Sequence, residues 1–264
     1  MSAPQLAPRL AAVISSLDTP ALPQALTELL RKVAPATYTV IFGYRGAERP
    51  ISLHDDFPPE KRKVFVTDYQ SGPYLLDPLY LAAVRPVVPG LYRLRDLAPD
   101  RFYQGEYYRS YYAQTGLAEE IGYFVDLPEQ AALVLSLMRA EKPFSHKEFR
   151  ALEEMFPVVA AVARRQWANL GQQFGRNTTA SGLHRQHQRV AYGLGHFGEG
   201  ILTPREREVA EFTLKGHSAE SAGQILGISP GTVRIHRRNI YAKLRINSQG
   251  ELFSRFLDTL VDMT

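Results

Sequence analysis

The sequence predicts an α+β protein in two parts, an α-β-α sandwich with a mainly antiparallel sheet over residues 1–170 and an all-α unit of four helices over residues 201–264. Three observations predict it. Two apolar runs, Glu120 to Leu127 and Ala131 to Arg139, are joined by Pro128-Glu129-Gln130 and lie among amphipathic helical stretches, as in a sheet covered by helices. Residues 171–200 hold seven glycines and few apolar side chains, the composition of a tether. Beyond the tether, hydroxyl-bearing helix starts recur at Thr203, Ser218, Ser229 and Ser248.

Along the first part, Gln5 to Leu17 and Leu22 to Val33 read as helices, the second closed by Pro35. Thr37 to Tyr44 is rich in β-branched and aromatic residues and reads as a strand. A helix is expected around Pro59 to Gln70, followed by a loop-rich middle and the hairpin. Ser145 with Glu148 forms a capping box opening one long helix through Phe149, Leu152, Phe156, Val159, Ala163 and Trp167, with a kink at Pro157. Within the tether, Leu183 to Tyr192 could be helical, and His184, His187 and His196 have no acid or thiolate nearby except Glu199, so a metal site is not expected there.

In the second part, Thr203, Pro204 and Glu206 combine a capping box with a proline at the first helical position, and the helix runs to about Lys215 before Gly216. Ser218 caps a short helix ending at Leu226. After Gly227-Ile228-Ser229, a third helix runs from Pro230 to about Leu244. This is a helix-turn-helix, whose second member normally enters the major groove of DNA. Val233, Ile240 and Leu244 form one buried stripe of that helix, with Arg234, Arg237 and Arg238 displayed outside it. Ser248 and Glu251 open a fourth helix through Leu252, Phe256 and Leu260.

These residues carry a family resemblance. The run Leu202 to Val209, then Gly216-His217-Ser218, Leu226 to Ser229, Thr232 to His236 and Asn239 to Leu244 resembles the DNA-binding domain of LuxR-type transcriptional regulators. The resemblance places Arg234, Ile235 and Arg238 against bases. It places Ser218, Thr232, His236 and Lys243 where members meet phosphates or brace the helix, and it makes the fourth helix a pairing surface for two such domains. Where the family usually has isoleucine-alanine in the scaffold helix, this chain has Ala222-Gly223, and the glycine should cost that helix about 1 kcal/mol relative to alanine. The partners implied are double-stranded DNA with a two-fold operator, a second copy of the chain, and RNA polymerase.

Composition fits a two-part regulator. The 264 residues exceed one typical domain. The absence of cysteine removes disulfides, thiolate metal sites and cysteine nucleophiles together. No apolar run approaches the ~18 residues of a membrane span and no secretory signal opens the chain, so a cytoplasmic protein is expected. The net charge of +4 is uneven: residues 1–170 are balanced, while 171–200 and 201–264 carry +2 each, which puts nucleic-acid affinity in the C-terminal third. There is no phosphate-cradling glycine loop of the Walker type, no Gly-x-Ser-x-Gly elbow and no pair of histidines at metal spacing, so neither catalytic residues nor a metal nor a cofactor is expected.

The first part is marked by aromatic density. Ten of the fourteen tyrosines lie between Tyr69 and Tyr123, including Tyr103, Tyr107, Tyr108, Tyr111 and Tyr112. Tyrosine suits a small-molecule pocket that needs shape and a few oriented hydrogen bonds, although Tyr108, Tyr111 and Tyr112 also read as the buried stripe of a helix. Phe65, Tyr69 and Asp77-Pro78 partly resemble the Trp, Tyr and Asp-Pro with which LuxR-type autoinducer-binding domains hold an acyl-homoserine lactone. Phe65 stands where the Trp would be and has no ring N–H to donate. The expected ligand site is therefore Phe65, Tyr69, Tyr74, Asp77, Tyr92 and Tyr107, with Asp77 receiving an amide or ammonium group of a small-molecule effector; equally, Asp77 could cap the next turn. In outline the domain is similar to GAF, PAS and autoinducer-binding domains. Two rival readings stand beside this one. A phosphorylated receiver would need an alternating β/α pattern and an acidic cluster, for which Asp55-Asp56 is the nearest match; alternatively the first part only dimerises or binds a partner protein through the helix Phe144 to Leu170.

Overall fold

The computed structural model describes residues 3–85, 87–110, 112–176 and 197–262. The chain divides into two compact units that interleave in sequence: Met1–Thr67, Ala82–Leu97 and Gly116–Ala180 form the first, and Asp68–Leu81, Ala98–Thr115 and Ser181–Thr264 the second.

The first unit is built on five strands, β1 (Tyr38–Arg45), β2 (Ile51–Asp55), β3 (Gly90–Arg93), β4 (Glu119–Asp126) and β5 (Ala131–Arg139), in the spatial order β2-β1-β5-β4-β3. Every pairing is antiparallel. The receiver reading therefore fails, since its parallel β/α core is missing, and Asp55 and Asp56 are engaged locally, with Arg62 and with Thr39 respectively. The β4-β5 hairpin turns at Glu129 and Gln130, both at positive φ, where the sequence placed it. The short strands β2 and β3 were not expected.

Strand alternation sends Ile41, Ile121, Tyr123, Val125, Leu133, Leu135 and Leu137 into one core with Leu26 and Leu30 of α2 (Leu22–Val33). That face is closed by α7 (His146–Glu153), α8 (Phe156–Gln166) and α9 (Leu170–Arg176) through Leu152, Val159, Ala163, Trp167, Leu170 and Phe174. The capping box at Ser145 forms as expected, with Ser145 Oγ accepting from Glu148 N and the Glu148 carboxylate accepting from Ser145 N. The single long helix does not form. Pro157 occupies the first turn of α8, where a missing N–H costs nothing, so it starts a new helix instead of kinking an old one. Helix α1 (Ala3–Ser15) packs Val13 against Leu22 and Leu29.

The opposite sheet face is also buried, through Val40, Phe42, Tyr44, Phe124, Val134, Ser136 and Met138. The expected helix from Pro59 is broken: α3 (Pro59–Arg62) runs into a π turn at Lys63–Asp68 and a 3-10 turn at Tyr69–Ser71. Three further short helices follow, α4 (Pro78–Ala83), α5 (Leu94–Leu97) and α6 (Glu106–Ser110).

The C-terminal helices are α10 (Pro204–Leu214), α11 (Ala219–Leu226), α12 (Pro230–Leu244) and α13 (Gln249–Asp262). Each of the first three is capped by the expected hydroxyl: Thr203 accepts from Glu206 N, Ser218 from Ser221 N and Ser229 from Thr232 N. Gly227 closes α11 in the left-handed region. The helix suggested for Leu183 to Tyr192, and the three histidines of the tether, lie outside the described residues.

Candidate DNA-reading helix and ligand site

The candidate reading surface is the exposed face of α12, which lies against its scaffold. Val233 and Ile240 are buried and fix the helix, leaving Arg234, Ile235 and Arg238 exposed, with Ile235 half open to solvent at 51%. A bare isoleucine on a helix is costly in water and suited to a thymine methyl, while arginines one turn apart suit guanine edges. The Arg234 guanidinium is held by Glu220 of α11, an exposed pair that keeps the side chain extended over the surface.

Arg237 departs from the expectation. It is half-buried, donating Nε–H to Thr213 Oγ1 at 3.0 Å and from its guanidinium to the His217 carbonyl at 2.7 Å. A long guanidinium reaches back from a flank position to satisfy a carbonyl at the α10-α11 turn, so Arg237 braces α12 instead of facing DNA. Lys243 likewise braces: its Nζ meets Glu206 at 2.6 Å, tying α12 to the capping box of α10. Thr232 pairs its hydroxyl with Ser229 at 2.8 Å, and His236 is half-buried on the same helix. Ser218 is buried, 3% exposed, with its backbone N–H donated to Asp100.

On the fourth helix Leu252 and Phe256 are buried within the unit, the Phe256 ring edge-on to Phe197 at 5.9 Å.

Gly223 has a role at the end of its helix that propensity does not show. A Cβ there would stand 2.7 Å from the Ile228 carbonyl oxygen, and the Gly223 carbonyl accepts from Ile228 N at 2.9 Å. The glycine lets the turn of the helix-turn-helix fold back onto the scaffold helix.

Of the ligand residues, Tyr69, Tyr74 and Asp77 come together in the second unit. Tyr69 Oη donates to Asp77 Oδ2 at 2.6 Å, and the Tyr74 ring lies 6.2 Å from that of Tyr69. Asp77 also caps α4, accepting from Leu79 N at 2.9 Å, so the capping role read from the sequence holds together with the tyrosine contact. Burial pushes the Asp77 carboxyl up to about 6, against the lowering effect of the hydrogen bonds from Tyr69 and from the Leu79 and Tyr80 backbones. Tyr107 is buried elsewhere in this unit, its ring 5.8 Å from Phe102, which also touches Tyr103, Tyr108 and Tyr112. Tyr108 and Tyr112 stack, but a 3-10 turn at Tyr112–Thr115 replaces the single helix expected, and Tyr111 lies outside the described residues.

Phe65 and Tyr92 belong to the first unit. Phe65 stacks on Phe57 at 4.4 Å and tilts toward Tyr38; Tyr92 meets Phe124 edge-on at 5.5 Å and donates its hydroxyl to the Val88 carbonyl. A cavity of about 510 Å³ beside the hairpin is lined by Val84, Arg85, Phe124, Asp126 and Ala132, and by none of the expected ligand residues. No helix among the described residues is long and apolar enough to cross a membrane.

A capped helix-turn-helix exposing Arg234, Ile235 and Arg238, in a chain with an antiparallel sheet enclosed by helices, defines a DNA-binding regulator with an α+β accessory domain. Residues 200–256 match the bacterial regulatory proteins of the luxR family. The chain is 33% identical over 187 residues to a protein of Aeromonas salmonicida named as an HTH-type transcriptional regulator in the exeN 3′ region, covering 70% of this chain and 95% of that protein. It is 42% identical over 82 residues to the transcriptional regulatory protein UhpA of Salmonella typhimurium, spanning 31% of this chain and 42% of UhpA. Among solved structures, the LBD domain of VqsR from Pseudomonas aeruginosa is similar, with a TM-score of 0.54 and 26% identity over 60% of this chain and 93% of that one. The chain belongs to the luxR family of helix-turn-helix transcriptional regulators.

Proposed function

We propose that this regulator is ligand-responsive: a small molecule held at Tyr69, Tyr74 and Asp77 controls sequence-specific DNA binding by Arg234, Ile235 and Arg238. In functional terms residues 1–170 sense, 171–200 link and 201–264 read, a division that cuts across the two compact units. Phe65 and Tyr92, which belong to the first unit, and Tyr107, which packs on Phe102, are left out of the proposed site. The observation that carries the proposal is the buried Asp77 carboxylate, 9% exposed, engaged by the Tyr69 hydroxyl and by the Leu79 and Tyr80 backbone amides. A carboxylate has about four lone-pair positions, so it retains capacity for a donor from an amide or ammonium group. The likeness to a domain named for ligand binding in VqsR supports the same reading.

Two copies on a two-fold operator would raise affinity through effective concentration, since one helix-turn-helix reads few base pairs. A protein of this class acts in the cytoplasm, where it meets DNA and RNA polymerase.

Calorimetric titration of the full chain with a panel of small amines and amides tests the ligand site. The wild type is expected to bind a member of the panel that Asp77→Ala does not; equal binding by both proteins moves the site elsewhere. Because the ionised carboxylate pairs best with an ammonium, affinity for an amine is expected to fall by about tenfold per pH unit below about 6, with proton release on binding near that pH. The same raised value makes the fold hold this proton more tightly than the unfolded chain does. Asp77 therefore subtracts stability as pH rises from 3.8 to about 6.

A further inference from the structure

The tyrosine-rich segment Ala98–Thr115 belongs to the same compact unit as the C-terminal helices, although more than one hundred residues separate Asp100 from Ser218. It grips the turn between α10 and α11 by a reciprocal pair of hydrogen bonds: Ser218 N donates to Asp100 Oδ1 at 3.0 Å, and Arg101 N donates to the Gly216 carbonyl at 3.1 Å. The approach is backbone on backbone. Gly216 has φ +93°, and a Cβ on it would stand 3.0 Å from Phe102 Cα. Six residues after Asp100, Glu106 lies over the first turn of α13, its carboxyl carbon 3.5 Å from where a Gly250 Cβ would be; the same carboxylate holds Arg109 at 3.2 Å.

Two carboxylates of one segment thus sit at the N-terminal turns of two helices of the reading unit. Helix N-termini present unsatisfied N–H groups and a positive dipole end, and they are recurrent phosphate contacts on DNA. In a helix-turn-helix the first helix of the pair crosses the DNA backbone, which brings its N-terminus, here Ser218, toward phosphates. In this structure Ser218 is covered and its amide is already given to Asp100.

We propose that segment 98–115 is an intramolecular latch in which the Asp100 carboxylate takes the place of a DNA phosphate at the start of α11 while Glu106 covers the start of α13, so that full DNA binding requires the segment to let go. Displacement exchanges the Asp100 carboxylate for a phosphate at the Ser218 amide, which makes the latch reversible and a competitor of DNA. It is independent of which small molecule, if any, the chain binds.

The chain has no cysteine, so a Glu106→Cys, Gly250→Cys double variant of the full-length protein carries a single bridgeable pair. Binding of the oxidised and reduced forms to fluorescent mixed-sequence double-stranded DNA is compared at fixed salt. The oxidised form is expected to bind at least about tenfold more weakly, with reductant restoring binding, because apparent affinity scales with the competent fraction. Equal binding by the two forms overturns the latch, as does failure of the bridge to form. In a second arm, Asp100→Asn with Glu106→Gln is expected to tighten binding relative to a control neutralising the exposed Glu141 and Glu153. The same gain in that control would mean bulk charge and no latch.

Discussion

Replacing Glu206 with alanine is expected to destabilise the helix-turn-helix by about 2 to 4 kcal/mol, because one buried carboxylate serves both a cap and an ion pair. Glu206 is 3% exposed and accepts from Thr203 N at 2.8 Å, from the Thr203 hydroxyl at 3.0 Å and from Lys243 Nζ at 2.6 Å. Its removal leaves the Thr203 amide unsatisfied at the start of α10 and releases Lys243, which holds the end of α12. Hydrogen exchange on the full chain reads the effect as lost protection in α10 and α12. A change below about 0.5 kcal/mol, the size of an ordinary surface substitution, would show that the two helices are tied by other contacts. Burial works to raise the Glu206 pKa, but the Lys243 and Thr203 contacts outweigh it and the carboxyl sits below its ordinary value. The stabilisation is therefore complete above the unfolded value of about 4.3 and is lost as pH falls through the lower folded value.

Gly223→Ala is expected to destabilise the same unit by about 1 to 3 kcal/mol, the cost of forcing a methyl into a packed site. Helix propensity alone gives the opposite sign, a gain of about 1 kcal/mol for alanine in a helix interior. The geometry decides between them: the added carbon would be 2.7 Å from a backbone carbonyl of the turn, which can yield only by moving the helix-turn-helix itself. Urea unfolding with a probe on α11 checks it. A stabilised variant would mean the turn relaxes freely, and the close approach would lose its significance.

The C-terminal helices were legible because their boundaries are local chemistry. Thr203, Ser218 and Ser229 each accept from an amide three residues on, and the expected and observed helix starts coincide. The β4-β5 hairpin was legible for a similar reason, a long apolar pair around a short turn. Strands β2 and β3 were not: β2 is half-buried at all five positions and so shows no alternation, and β3 alternates over only four residues, too short a run to be read. Arg237 was misjudged because a helical wheel records direction at Cβ and not the reach of a guanidinium to the His217 carbonyl. Gly223 read as a flaw because helix propensity alone does not show how the turn after Gly227 brings the Ile228 carbonyl back against the helix. Asp77 carried a motif signal, whereas Asp100 and Glu106 carried none, since their partners lie far along the chain.

The central claim is that α12 reads sequence through Arg234, Ile235 and Arg238. Selection from a randomised pool of double-stranded DNA by the full chain, beside Arg234→Ala and Arg238→Ala at matched salt, tests it most directly. The wild type is expected to enrich a two-fold-related motif. Each variant is expected to lose preference at one base per half-site, worth about 1 to 3 kcal/mol, while keeping its non-specific affinity. Enrichment of the unchanged motif by both variants would contradict the assignment and move sequence reading off this face of the helix.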